Sequence, residues 1–190
     1  MKHRITKLFA LTIVMFTLMS FVKPEKWFLF VSDELGYQIE FPEQPVERSQ
    51  IVNSEIGELT MNIFMVDASM NEKDDNLVYM VNHSEYPDSL VHSDMKEFLP
   101  EFFRGAIDGA VGNVHGKLLS EKIIQLGKYP GREVRIDFKN GLAVICIRVY
   151  LVENSLYMLQ TITETNKDFN KSIKQFMNSF ELVNVDSDKN

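Results

Sequence analysis

The chain has little cysteine and lacks the short motifs that mark several large enzyme families. Cys146 is the one cysteine among 190 residues, so an internal disulfide is excluded. It lies within an apolar strand pattern, and we interpret it as a small buried hydrophobic residue rather than a reactive thiol. There is no Gly-x-Ser-x-Gly elbow, no phosphate-binding loop and no dinucleotide-binding glycine fingerprint. These absences argue against hydrolases with a serine elbow and against nucleotide-dependent enzymes.

Positive charge is also scarce. There are 27 acidic side chains against 20 Lys and Arg, which gives a formal net charge of −7. Without the cations Lys2, Arg4 and Lys7, the rest of the chain carries a net charge of about −10. Such a domain is repelled by phosphate backbones and anionic lipid headgroups, so we predict no nucleic-acid partner. The hydrophobic share of 45% is ample for a packed core.

The histidines and acidic runs show no spacing typical of a metal site. His83, His92 and His115 are not placed as zinc ligands on one helical turn, and no cysteine accompanies them. We interpret them as surface or capping residues. The acidic runs 74–75 and 186–188 do not match an EF-hand loop. The sequence thus predicts no metal, no cofactor and no catalytic residue. A hydrolase, the remaining enzyme hypothesis, needs a histidine within hydrogen-bonding distance of a serine or carboxylate in a cleft.

The N-terminus has the layout of an export signal. Basic residues within 1–7 precede an uncharged apolar run from Leu8 to Val22, about 15 residues long. A membrane-spanning helix needs roughly 20 residues, so the length favours a signal peptide, although no small-x-small cleavage site is present. Three interpretations of residues 1–22 stay open: a cleaved signal peptide, an uncleaved N-terminal membrane anchor, and a buried core helix. The first two predict an exported protein, periplasmic or extracytoplasmic, tethered through Leu8 to Val22 if the signal is retained.

By length, residues 23–185 form a single domain, followed by a polar tail at 186–190. Its first part predicts strands at 27–31, 37–41 and 77–82 and a hairpin at 46–67. Apolar residues then recur at steps of three and four from Met95 to Val111, which predicts an amphipathic helix. Ser93 or Asp94 would cap its start, and Pro100 would cause a kink or a restart of the helix. A row of glycines along this helix predicts close approach of another backbone: Gly105, Gly109 and Gly112.

A second amphipathic helix is predicted near the C-terminus. Its apolar stripe consists of Phe169, Ile173, Phe176, Met177 and Phe180. An edge strand at 182–185 follows. With the strands, the two helices predict an α+β fold.

The clearest β-region is an antiparallel meander of three strands. Residues 133–139 alternate polar and apolar, and Asn140-Gly141 is a strong hairpin signal because both central residues of a type I′ turn need positive φ. This register places Val134, Ile136 and Phe138 on one face with Ala143, Ile145 and Ile147. On the other face it pairs Glu133 with Arg148, which have opposite charges. A third strand, 156–163, follows a turn at 153–154.

Four residues of this region form the predicted binding surface: Tyr129, Arg132, Arg135 and Arg148. Tyr129 lies in a predicted turn, which does not require burial. Arg135 and Arg148 lie on the meander face opposite its main apolar side. Because apolar side chains such as Cys146 share that face, it is either covered by a helix as part of the core or open as a ligand pocket.

Several weak motifs, taken in order, resemble the PsbP-like α/β/α sandwich superfamily, which includes exported bacterial proteins and a eukaryotic Ran-binding protein. They are Trp27 and Phe30-x-Ser32; Gly36-Tyr37-x-Ile39-x-Phe41-Pro42-x-x-Pro45; Ala106-x-Asp108-Gly109-Ala110-Val111; Gly116-Lys117-Leu118-x-Ser120; Gly127-x-Tyr129-Pro130-Gly131-Arg132-Glu133; Leu156-Tyr157-x-Leu159; and Ser179-Phe180. The resemblance implies a central antiparallel sheet flanked by helices and a non-catalytic binding or assembly-assisting role. The photosynthetic branch retains ions, but its ligands match no positions here, so no ion site is carried over.

These observations predict a non-enzymatic exported protein of the cell envelope that binds a protein partner or assists assembly. The partner itself is not identified by the sequence. The alternative is a periplasmic protein that binds a small apolar or anionic ligand in a sheet-face pocket, using Arg135 or Arg148 beside apolar walls.

Overall fold

The computed structural model describes residues 26–54 and 57–183. These residues form ten β-strands, two α-helices and a short 3₁₀ turn. The strands are β1 (Phe28–Ser32), β2 (Tyr37–Phe41), β3 (Val46–Ser54), β4 (Gly57–Asp67), β5 (Asn76–Glu85), β6 (Lys117–Leu126), β7 (Tyr129–Phe138), β8 (Ala143–Val152), β9 (Ser155–Glu164) and β10 (Glu181–Leu182). The helices are α1 (Leu99–Asn113) and α2 (Lys171–Asn178).

Two antiparallel sheets make up most of the fold. A seven-stranded sheet has the order β3-β4-β5-β9-β8-β7-β6, and a three-stranded sheet has the order β1-β2-β10. Strand β8 lies inside the large sheet and is apolar at nearly every position. The reason is that both of its faces are covered, so neither can present a polar row to water.

The small sheet and α2 pack together on one face of the large sheet. Tyr37, Ile39 and Phe41 of β2 are fully buried against side chains of β5, β8 and β9. The ring of Phe176 in α2 lies 5.2 Å from that of Phe41 and 5.3 Å from that of Tyr79, between centroids. This layer therefore joins residues from both ends of the described chain in one aromatic core.

Helix α1 covers the opposite face. Phe103 packs against residues such as Val149 and Leu151, and Ile107 packs in a second cluster with residues such as Ile136 and Ile145. The broad prediction of an α+β fold, with antiparallel strands and two helices, is thus confirmed. The structure is richer in strands than a plain sheet-and-helix sandwich, because a three-stranded sheet shares one outer layer with α2.

The meander has the predicted register. Phe138 pairs with Ala143, and Glu133 pairs with Arg148. Asn140 and Gly141 have φ values of 55° and 89°, the positive values that the hairpin turn was expected to need.

Helix α1 corrects three predictions about the segment from Met95 to Val111. It begins at Leu99 rather than near Met95. Pro100 lies in its first turn, where a missing N–H is harmless, so of the two outcomes predicted at Pro100 the restart fits and the kink does not. Neither Ser93 nor Asp94 caps it; the N-cap is Phe98, which makes no side-chain capping bond. The glycine row meets no other backbone. A Cβ added at Gly105, Gly109 or Gly112 would find no described neighbour within 4 Å.

The C-terminal helix is shorter than the stripe predicts. It begins at Lys171, so Phe169 lies outside it, exposed at 62%. Asn170 caps the helix because its side chain accepts a hydrogen bond from the Ile173 N–H. The segments predicted as signal or anchor (1–22) and as polar tail (186–190) lie outside the described residues. Within the described ranges, no helix is long and apolar enough to cross a membrane.

Candidate functional site

The structure places Tyr129 in the core rather than in a turn. The β6–β7 turn is formed by Gly127 and Lys128, and Tyr129 opens β7 with 5% of its surface exposed. Its ring lies 5.3 Å from the Lys128 Nζ. Because Tyr129 is buried, a substitution there changes packing as well as any surface, so it cannot test binding alone.

Arg135 and Arg148 lie on the face covered by the small sheet and α2, and both are ion-paired. Arg135 donates to the Asp168 carboxylate, and its guanidinium lies 3.8 Å from the Phe169 ring centroid. Arg148 Nε donates to Glu133 at 2.8 Å, and its Nη1 donates to the Met177 carbonyl at 3.0 Å. Both guanidinium groups therefore already have acceptors within the protein.

Arg132 lies on the other face of β7, below α1. Its Nε is 3.4 Å from the Glu121 carboxylate, and its guanidinium carbon is 4.7 Å from the Phe103 ring centroid. The four residues predicted as one binding surface are thus divided between two faces of the large sheet. Tyr129, Arg135 and Arg148 share one face, and Arg132 faces the helix on the other.

A different group of side chains surrounds an open cleft of about 680 Å³ at one end of the sheet. It lies between the β1–β2 turn, β4, the end of β5 and the start of β9. Its lining includes Glu34, Leu35, Gly36, Glu58, Leu59, Thr60, Asn62, His83, Glu85, Tyr86, Pro87, Ser155 and Tyr157. We call this the His83 cleft. Three of these side chains are carboxylates and none is a lysine or arginine, so the cleft is acidic.

His83 is buried in the cleft wall with 5% of its surface exposed, so the predicted surface or capping role is wrong for this residue. Its ring lies 4.9 Å from the Tyr157 ring, between centroids. Its Nδ1 has no hydrogen-bond partner in residues 26–54 and 57–183. Burial lowers the pKa of the His83 imidazole, and the nearby Glu85 charge only partly opposes this. The ring is therefore neutral near pH 7 and has an unsatisfied nitrogen.

Tyr157 fixes the wall of the cleft opposite β4. Its hydroxyl donates to the Leu35 carbonyl at 2.7 Å, which ties the β1–β2 turn to the large sheet. Burial raises the pKa of Tyr157 to about 12, so the hydroxyl stays protonated and keeps this bond. Gly36 completes the turn with φ of 68°, a conformation that favours glycine.

The cleft offers several carboxylate oxygens as hydrogen-bond acceptors, and its histidine is not paired with them. His83 makes no hydrogen bond to Ser155 or to a carboxylate of the described chain, although both residue types line the cleft. His92 lies elsewhere, 3.7 Å from the carboxylates of Asp88 and Asp94 in a loop. Three or more ligating side chains arranged around a common metal position do not occur in the described ranges.

Sequence reasoning missed this cleft, although a usable signal was present. The predicted strand 77–82 ends one residue before His83, whereas β5 continues to Glu85. Along β5 the residues Tyr79, Val81 and His83 are all buried, as the period of two requires. Extending that alternation by one step would have placed the histidine on the buried face.

Comparison with known proteins gives a likeness of fold only. No protein-family model matches the chain, and no curated protein matches it. Among solved structures it is similar to the solution structure of cyanobacterial PsbP (CyanoP) from Synechocystis sp. PCC 6803. The two share 13% sequence identity, the match covers 86% of this chain and 96% of that chain, and the TM-score is 0.49. We base no statement about chemistry on this likeness. The exported bacterial origin suggested by the sequence stays a prediction.

Proposed function

We propose that the chain is a non-enzymatic exported protein of the cell envelope that binds a protein partner, or assists its assembly, at the His83 cleft. The observation that carries this proposal is the buried His83, whose Nδ1 lacks a described partner beside an open acidic cleft. Such a group costs about 1–3 kcal/mol when left unpaired, so a polar partner that reaches it from the cleft would be stabilised. The apolar N-terminal run supports the export part of the proposal.

The cleft also lies in the size range of small-molecule sites, roughly 300–1,000 Å³. A periplasmic small-ligand protein therefore remains the second candidate function. The observation that favours it is this cleft rather than the sheet face near Arg135 and Arg148, where both cations are paired.

The proposal is tested by filling the cleft. Thr60 is an exposed β4 residue of the lining, so Thr60→Trp should occlude the cleft while its strand stays paired. Gln125→Trp on β6 is the matched control, because it adds the same ring to an exposed strand position outside the cleft lining. Cross-linking in the envelope fraction with mass spectrometry should recover a specific protein with wild type and Gln125→Trp, but not with Thr60→Trp. Equal recovery from all three would refute the proposal.

A further inference from the structure

The carboxylates of the His83 cleft lack a cationic partner among the residues that the structure describes. The arginines that lie near other carboxylates are paired with them, as Arg104 is with Glu121 and Arg148 is with Glu133. In contrast, no lysine or arginine of the described chain forms an ion pair with Glu34, Glu58 or Glu85, all of which line the cleft. The cleft thus concentrates negative charge that the described residues do not neutralise.

The aromatic lining of the cleft is compatible with a cation. Tyr86 lies half-buried in the wall, and aromatic rings attract ammonium groups through their negative faces. The neutral His83 ring adds no positive charge that would repel such a ligand. The cleft combines carboxylates with an aromatic wall and with the His83 imidazole, which is 5% exposed and has an unsatisfied Nδ1. These groups fit an organic cation better than an anion.

We infer that the His83 cleft binds a primary ammonium group. The group is either the lysine side chain of a partner protein or a free alkylamine. The ammonium is attracted by the negative charge of Glu34, Glu58 and Glu85, the three exposed carboxylates that line the cleft. This inference rests on the proposed function in one respect, because both use the same cleft.

The test uses cadaverine and a lysine-containing peptide as ammonium probes, with pentan-1-ol as the uncharged analogue of similar length. Binding is followed by chemical shifts of the His83 and Tyr157 ring protons in the full chain. A variant with Glu34→Gln, Glu58→Gln and Glu85→Gln removes the cleft charges. A control with Glu47→Gln, Glu72→Gln and Glu97→Gln removes equal charge from exposed positions outside the cleft lining. Urea denaturation confirms that both triple variants are folded.

Wild type and the control variant should bind at least one ammonium probe saturably, whereas pentan-1-ol should not bind. The cleft variant should bind at least about tenfold more weakly, because charge-assisted hydrogen bonds are lost. Equal weakening in both triple variants, or equal binding of pentan-1-ol, would overturn the inference, as would no binding of either ammonium probe to wild type.

The partner-capture assay shows whether the ammonium group comes from a partner protein or from a free amine. It also distinguishes failure of the ammonium inference from failure of the proposed function. If the cleft variant binds no amine and still captures the partner, while Thr60→Trp does not, the proposed function stands and the ammonium inference fails. If wild type binds cadaverine and Thr60→Trp leaves partner capture unchanged, the inference stands with a free amine as ligand. The protein-binding proposal then fails.

Discussion

Replacing two glycines of α1 with alanine should stabilise the protein. Gly105 and Gly109 are exposed in the middle of a 15-residue helix, and a Cβ at either position would meet no described atom within 4 Å. Glycine costs about 1 kcal/mol relative to alanine inside a helix, because the unfolded chain loses more conformational freedom on folding. The structure offers no contact that would offset that cost, so both substitutions should be favourable.

The expected size follows from these two positions. The double variant Gly105→Ala/Gly109→Ala should gain about 1.5–2 kcal/mol of unfolding free energy, provided that the effects add. For a domain of this size, each kcal/mol raises the melting temperature by roughly 2–4 °C, so Tm should rise by about 3–8 °C.

Urea and thermal denaturation measure this gain, and Gly131→Ala provides the contrasting variant. A Cβ at Gly131 would lie 2.5 Å from Tyr150 Cδ1 and 2.6 Å from the Val149 carbonyl oxygen, so this substitution should destabilise by about 1–3 kcal/mol or more. If the helix double variant instead loses stability, the open face assigned to α1 is wrong. Another backbone would then approach the glycine row, as the sequence alone predicted.

Three further predictions concern buried polar groups. Asp168→Asn leaves the Arg135 guanidinium without its anionic partner and should cost about 3 kcal/mol in urea denaturation; a loss near zero would contradict the buried pair. Burial raises the pKa of the Cys146 thiol to about 11, so the folded protein should resist thiol reagents near pH 8 and react fast only in denaturant. Burial also lowers the pKa of His83, so the unfolded chain takes up a proton before the folded one does. Stability is therefore unaffected by His83 above about pH 6.5 and is lost as pH falls from that value toward the lower pKa of the folded state, so His83→Gln should flatten the loss of stability below about pH 6.5; parallel profiles would refute this.

The meander was predictable from sequence because its determinants are local. The Asn140-Gly141 turn signal and strict alternation from Glu133 fix the register without any distant contact, and the Glu133–Arg148 pair follows from that register. The connection itself is longer than two residues, and Lys139 in it also has a positive φ of 52°. Strand β6 was not predicted. Its alternation is broken by a bulge near Leu119, and Leu119 and Ile123 are exposed, so no face shows a clear period.

The binding site was harder to predict because long-range contacts decide which charges are free. The sequence shows Arg135 on a strand, but its partner Asp168 comes from the β9–α2 connection, 33 residues later. The His83 cleft likewise combines the β1–β2 turn with β4, β5 and β9. Local patterns assign a residue to a face, whereas pairing across layers determines whether it can reach a ligand.

The small sheet has a consequence for the order in which the chain folds. Strand β2 is paired on one side by β1 and on the other by β10, and its Phe41 contacts Phe176 of α2. The contacts of β2 with β10 and α2 join segments more than a hundred residues apart, so during synthesis the first hairpin must wait for the last helix before its apolar side is covered. Until the ribosome has released that helix, the nascent chain cannot close this half of its core. If the chain is exported as proposed, this delay would hold it in the unfolded form that a translocation channel accepts.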